Sequence, residues 1–253
     1  LGWEAAARLG NAAGGVCAQQ WGAFPEDRSA ARAAVEPAFG EALPADATAT
    51  PEGPSPFAAE ALSVLDVALA ELGALRARIG ADPFDRAVEL VTAARAAGGR
   101  VHVTGVGKPE HVAHYAASLL SSTGTPATFL HATEAVHGSA GQLVEGDVVI
   151  AISNSGNTAE LRAAVEAARG MGTRVIGVAG AGDSWLARES DVWLDAGVGE
   201  EGGGLGLAPR ASVAAEILVL AALGAALERS VDLDRADYHR RHPAGNLGRL
   251  SKS

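Results

Sequence analysis

From Arg100 onward the chain repeats one texture: a short run that is apolar nearly throughout, then a longer run with helical spacing. The short runs occupy residues 101–106, 127–131, 147–153, 174–178 and 191–194. A strand with one wet face alternates apolar and polar residues, whereas a strand covered on both faces does not. Helical runs fall between them at 110–122, 158–170 and 184–189, with a last long one at 211–229. Alternating strand and helix predict an α/β domain: a five-stranded parallel sheet flanked by helices, in the order 2-1-3-4-5. Two further helices precede the sheet. One spans 57–79, with apolar positions at Leu62, Val64, Leu65, Val67, Leu69, Leu72 and Leu75. The other is opened by the cap Asp82-Pro-Phe-Asp85 and runs to about residue 97.

The expected domain plan is a helical appendage at 1–24, nearly apolar all round, a linker at 25–56, and the α/β domain at 57–253. Six prolines between Phe24 and Pro56 mark the linker. The first residue is Leu, which suggests a fragment or a processed form.

A net charge of −10 argues against a nucleic-acid partner, which would need a basic face. It leaves a phosphorylated small molecule open, because backbone amides and hydroxyls hold a phosphate without net charge. The single cysteine, Cys17, makes no internal disulfide, and the composition fits a reducing cytoplasm. The most apolar stretch, 214–227, is short for a membrane span and contains Glu216, and the N-terminus lacks the pattern of a signal peptide, so no membrane partner is expected.

Ligands of open parallel sheets bind at the carboxyl ends of strands, at the switch in strand order. Two loops lie there. Gly105-Val-Gly-Lys108 follows the first strand. It misses the dinucleotide fingerprint, which wants Gly where Glu110 stands. It misses the P-loop as well, which wants Gly at His102 and Ser or Thr at Pro109. It reads equally as a tight βα turn. Lys108 is nonetheless notable, because the sequence holds only two Lys against 18 Arg. Ser153-Asn-Ser-Gly-Asn-Thr158 follows the third strand and opens a helix. Three hydroxyls, Asn154, Gly156 and unpaired helix amides make a phosphate cradle or, on residue types alone, an N-cap and polar turn. Glu160 reads as an acid at a helix N-terminus. Glu200 and Glu201 open a glycine-rich segment that composition alone would call a solvated loop. Two His at i,i+3, as at His111/His114 and His239/His242, are too few for a zinc site, and no metal is expected. The tail segment 242–249 is unusually turn-rich for a chain end.

Six segments in order carry a resemblance: Gly105-Val-Gly-Lys-Pro-Glu-His111, Ser122-Thr-Gly-Thr-Pro126, Glu134-Ala-Val-His-Gly138, Asp147-Val-Val-Ile-Ala-Ile-Ser-Asn-Ser-Gly156, Leu205-Gly-Leu-Ala-Pro209 and His242-Pro-Ala-Gly-Asn-Leu-Gly-Arg249. Together they resemble the sugar isomerase (SIS) domain of arabinose 5-phosphate isomerases, over about residues 57–249. The resemblance implies a flavodoxin-like fold and a cofactor-independent aldose–ketose isomerase of ribulose 5-phosphate and arabinose 5-phosphate. It puts the family's catalytic groups on Lys108, Glu160, Glu201, His242 and His137, and its phosphate-binding hydroxyls on Ser153, Ser155 and Thr158. Gly107, Asn154, Gly156, Ser122, Thr123 and Arg210 are expected beside the substrate. A homodimer or homotetramer with shared active sites is expected too.

Departures touch the substrate-facing loops: Pro109-Glu110 replaces the usual Ser-Gly, and Arg210-Ala211 replaces Thr-Ser. They leave open an isomerase of another sugar phosphate such as a hexulose 6-phosphate, a lyase or etherase of an amino-sugar phosphate, and a non-catalytic sugar-phosphate sensor. Many members continue into a pair of CBS domains beyond the Leu-Gly-Arg motif; the sequence at hand ends at Ser253. The segment Ala6-Ala-Arg-Leu-Gly-Asn-Ala-Ala-Gly14 with Trp21 resembles the last core helix of ribokinase-type (PfkB) sugar kinases.

Overall fold

The computed structural model describes residues 54–251; the expected appendage, its kinase-like helix and nearly all of the expected linker lie outside them. Residues 59–253 form one unit by their internal contacts. Within it five parallel strands, β1 (Val101–Gly105), β2 (Ala127–Phe129), β3 (Val148–Ser153), β4 (Arg174–Ala179) and β5 (Val192–Asp195), pair in the order β2-β1-β3-β4-β5. The register sets Val101 against Ala127 on one side and against Val148 on the other, so the chain reverses its direction of growth between β1 and β3.

The unbroken apolar runs have a direct cause. Every residue of β1 and of β3 is buried. Val148, Ile150 and Ile152 enter one core, whereas Val149 and Ala151 enter a second core on the opposite face. Period-two geometry thus demands apolar residues at both parities. Each fully buried Val or Ile contributes about 1.5–3 kcal/mol.

The first core is roofed by α1 (Pro56–Arg78), α2 (Asp82–Ala96), α3 (Lys108–Ser122) and α7 (Ala211–Ser230). The second is covered by α4 (Ala132–Ala135), α5 (Ala159–Gly170) and α6 (Trp185–Glu189). Two short helices close the described chain, α8 (Arg235–Arg241) and α9 (Gly245–Leu250), in a tail expected to be merely turn-rich.

Two expectations need correction. Asp82 is not a cap: Ala81 holds the N-cap position without a side-chain hydrogen bond, and Asp82 is the first helical residue, ahead of Pro83. Proline fits the first turn because the amide it lacks would have no partner there. The apolar stretch at the end is also longer than expected. Ala211–Ser230 is long and apolar enough to cross a membrane by length and composition, with an 18-residue window of mean hydropathy 1.8. Half of that window is buried inside the fold, where α7 packs along α2 and α3. A core helix meets the same test.

The beginning of α1 has no such cover. Leu62, Leu65 and Leu69 are 52%, 59% and 69% exposed on it, and Leu218 of α7 is 50% exposed. These positions carry the excess apolar surface on which the expectation of self-association rests.

Candidate functional site

In a parallel α/β domain each helix starts where its preceding strand ends, so helix N-termini gather at the carboxyl edge of the sheet. β3 ends at Ser153, and the next five residues turn into α5. Ser153 is buried. Its Oγ accepts the amide of Gly156 at 3.1 Å and lies 3.0 Å from Thr158 Oγ1. Ser155 Oγ accepts the amide of Asn157 at 3.3 Å. Thr158 is the N-cap of α5 by backbone conformation, yet its side chain does not cap, so the first amides of the helix stay open. Gly156 has a φ of 63°, and a methyl group there would collide with Ser184 Oγ and Cβ. Only glycine keeps the loop folded this tightly. Asn154 and Ser155 are exposed at its rim, and Asn157 Oδ1 accepts the amide of Trp185, tying the loop to α6. Hydroxyls and amides around one concave turn at a helix N-terminus hold an anion well.

The neighbouring strand supplies the next group. Gly105, last in β1, pairs with Ile152, so the loop after β1 stands beside the cradle. Gly107 has a φ of 72° and precedes α3, whose first residue is the exposed Lys108. Gly105 lets the backbone of the first turn of α3 come close: a side chain at 105 would meet the carbonyl carbon and oxygen of Pro109 at 2.7 Å. His137 follows α4, which leaves the carboxyl end of β2 on the other side of β1, and it is exposed. Glu160 is exposed in the first turn of α5, just past the cradle.

Glu201 comes from farther away, after β5, by way of α7. Gly224 of α7 lets Leu119 and Leu120 of α3 come within 3.5 and 3.7 Å of where its side chain would begin, and Val231, just past α7, lies against Gly124, just past α3, so the two helices run parallel and start at the same edge. At that start, Glu201 Oε2 accepts the amides of Arg210 at 2.7 Å and Ser212 at 3.1 Å. The loop acid thus does the capping work that Arg210, the N-cap residue, does not do with its side chain. Arg210 Nη1 donates to Gly202 O at 3.1 Å and so braces the glycine-rich loop.

Three expected residues are not brought to this edge. Ser122 and Thr123 end α3, at the amino edge of the sheet, and both hydroxyls donate to Leu119 O, at 2.8 and 3.0 Å. There they satisfy a helix terminus, and in a single chain they are remote from the cradle. His242 is remote as well. Gly124, just past α3, lies against Val231 and Leu233, with Arg241 also near, so the tail runs past the amino edge. His242 stacks on Tyr238 with ring centroids 4.0 Å apart.

One residue at the carboxyl edge was not singled out as a functional candidate from sequence. Glu216, on α7, is buried, and its carboxyl is pushed up to about 8, first by burial and then by the charge of Glu201. The sequence displays it only as a charge interrupting an apolar run. A second buried network, at the opposite edge, joins His102 Nε2 to Asp147 Oδ2 and His102 Nδ1 to Thr128 Oγ1, each at 3.1 Å. Burial outweighs the aspartate there and lowers the His102 pKa, so the imidazole is neutral and ties β1, β2 and the entry to β3 together.

The SIS domain profile matches residues 95–226. The chain is 42% identical over 175 residues to a Pseudomonas aeruginosa protein named arabinose 5-phosphate isomerase KdsD, covering 69% of this chain and 52% of that protein. It is 40% identical over 151 residues to the Escherichia coli strain K12 protein of the same name, covering 60% of this chain and 46% of the relative. It therefore spans about half the length of the curated relatives it matches. Among solved structures, that of an Escherichia coli CFT073 protein in complex with A5P superposes with a TM-score of 0.63 at 35% identity, covering 73% of this chain and 98% of that one. The sheet order, the family profile and these relatives agree, and the chain belongs to the SIS domain family.

Proposed function

We propose that this domain, residues 57–253, is an aldose–ketose isomerase interconverting ribulose 5-phosphate and arabinose 5-phosphate. The observation that carries the reading is the hydroxyl-and-amide cradle at the end of β3, in a chain 42% identical to an arabinose 5-phosphate isomerase. The reaction is an internal redox exchange: C2 of the ketose is reduced as C1 is oxidised, so electrons balance without an external acceptor. A base removes a proton from C1, an enediolate forms across C1 and C2, and a proton returns to C2.

The phosphate, far from the reacting carbons, anchors and orients the sugar in the cradle. Lys108, beside the cradle, is positioned to stabilise the enediolate oxygen. Glu201 is assigned as the base that moves the carbon-bound proton, and His242 as the group that moves oxygen-bound protons. Glu160, just past the cradle in the first turn of α5, and His137, beyond the carboxyl end of β2, are assigned to the sugar hydroxyls. Because His242 and its own cradle lie at opposite edges of the sheet, the reading requires an oligomer in which a neighbour supplies it.

Incubation of ribulose 5-phosphate with the protein, followed by NMR, tests the reading directly. Growth of arabinose 5-phosphate resonances to equilibrium is the expected result. No turnover, or a product of another chain length, overturns it. The cradle has its own test. Ser153→Ala combined with Ser155→Ala is expected to raise KM about 10²–10⁴-fold, since each lost hydrogen bond to a charged group costs about 1.5–3 kcal/mol. Thermal protection by inorganic phosphate should disappear with it. Unchanged KM and unchanged protection would move the phosphate elsewhere.

A further inference from the structure

α7 is dominated by Ala, Leu and Val, yet it buries a carboxyl in its second turn. Glu216 is 1% exposed and neither of its oxygens has a hydrogen-bond partner. One turn earlier the hydroxyl of Ser212 is also buried without a partner, while the amide of that residue donates to Glu201 Oε2 at 3.1 Å. Positions 212 and 216 share a helix face. Glu201, the Ser212 amide that it accepts, and the two unpartnered side chains of Ser212 and Glu216 therefore follow one another along α7 from the glycine-rich loop into the protein.

Packing does not ask for this acid. Its neighbours on the buried face, Ala215, Val219 and Leu220, belong to the apolar core. An unpartnered polar group in such a place is unfavourable, and a lone charge far more so. Breaches of local consistency of this kind concentrate at functional sites.

We propose that Glu216 is a positioning residue for Glu201: one turn beneath the amide that holds Glu201, a change of its side-chain rotamer pairs its carboxyl O–H with the equally unpartnered Ser212 Oγ and fixes the start of α7, on which the Glu201 carboxylate rests. The catalytic part of this inference rests on the isomerase reading; the coupling of the two carboxyls does not. A protonated carboxyl has one donor to give, and Ser212 Oγ, itself without a partner, is the buried acceptor one turn earlier on the same face.

The electrostatics support the geometry. Burial first, and the negative charge of Glu201 second, push Glu216 from the ordinary 4.5 to about 8. No charged side chain of α2 or α3, the helices packed against α7, adds to that displacement. Glu216 is thus neutral at pH 7. Above about 8 it ionises and sets a second negative charge under Glu201, close to where the enediolate develops its own. The sign for stability follows. The unfolded chain releases this proton near 4.5 and the folded chain keeps it to about 8, so the folded state loses stability across that window as pH rises.

Three measurements on Glu216→Gln and Glu216→Leu test the proposal. For the wild type, kcat/KM should fall along a one-proton alkaline limb near pH 8. Glu216→Gln, which keeps both shape and a donor, should lose that limb and stay within about threefold of wild-type kcat at pH 7, whereas Glu216→Leu should lower kcat about 10-fold or more with KM little changed. Both variants should melt higher than the wild type at pH 7 and close to it at pH 4.5. Independently of activity, the 13C carboxyl resonance of Glu201, assigned with Glu201→Gln, should move near pH 8 in the wild type and stay still in Glu216→Gln. A stationary Glu201 resonance, an alkaline limb that survives in Glu216→Gln, or full activity in Glu216→Leu each overturns the proposal. A wild type that turns over no sugar phosphate overturns the isomerase reading alone, and the resonance titration still decides the coupling.

Discussion

His242→Asn is expected to lower kcat about 10²–10⁴-fold, the usual worth of a general acid–base group, and to leave KM nearly unchanged. The geometry of the tail makes this a test of assembly as well as of chemistry. His242 Nδ1 lies 3.0 Å from Tyr238 O, so the ring donates that N–H to the carbonyl. That leaves Nε2 as the nitrogen free to take or give a proton. Stacking on Tyr238 then fixes the ring plane. A side chain so arranged is prepared for a task, but the task is absent at its own end of the sheet. The amino and carboxyl edges of a five-residue strand are about 17 Å apart, more than a histidine can span. On the proposed reading a second copy of the chain supplies this group, and the exposed Leu62, Leu65, Leu69 and Leu218 offer apolar surface for one. Mixing His242→Asn with Lys108→Ala, both inactive alone, should therefore restore part of the activity, because some hybrid sites receive both intact groups. A mixture that stays as inactive as its parents after demonstrated subunit exchange would return His242 to its own chain or remove it from the reaction.

The difference between what could be read in the residues and what could not is physical. A strand buried on both faces is apolar at both parities except where a polar side chain finds a buried partner, as His102 of β1 does in Asp147, so β3 and β4 announced themselves most plainly, and the order of a doubly wound sheet followed from the alternation of strands with helices. The turn after β3 was legible too: hydroxyls, a glycine and a helix start within six residues predict a tight polar turn with open amides, while residue types alone leave an anion cradle and an N-cap both open. Caps are less constrained. Asp82 has the residue type of a cap but sits one position too late, because Ala81 takes the turn and Pro83 suits either frame. Ser122 and Thr123 belong to a motif that accompanies the family's site. The motif's place at the far end of α3 becomes visible only when the helix has a length and a direction. Glu216 is the reverse case. Periodicity counts it as a flaw in an apolar helix, and only the third dimension brings Glu201 over it from 15 residues upstream.

Glu201→Gln should separate the two tasks that converge on this acid. Its Oε2 closes the N-terminus of α7 by accepting two amides, and a glutamine carbonyl oxygen accepts the same pair. The start of the helix, the brace from Arg210 to Gly202 and the melting temperature should therefore change little. Glu201→Ala, by contrast, removes the acceptor and should cost about 1 kcal/mol, the worth of a helix cap. Proton transfer is another matter, because an amide neither takes a proton from carbon nor returns one. With the phosphate cradle and Lys108 intact, the sugar phosphate should bind as before, and kcat should fall about 10²–10⁴-fold. Exchange of the C1 proton with deuterated solvent, followed by NMR, should stop in proportion. If Glu201→Gln keeps more than about a tenth of kcat and still exchanges that proton, Glu201 is a cap and loop anchor only, and the base must be sought among Glu160, His137 and a neighbour's His242.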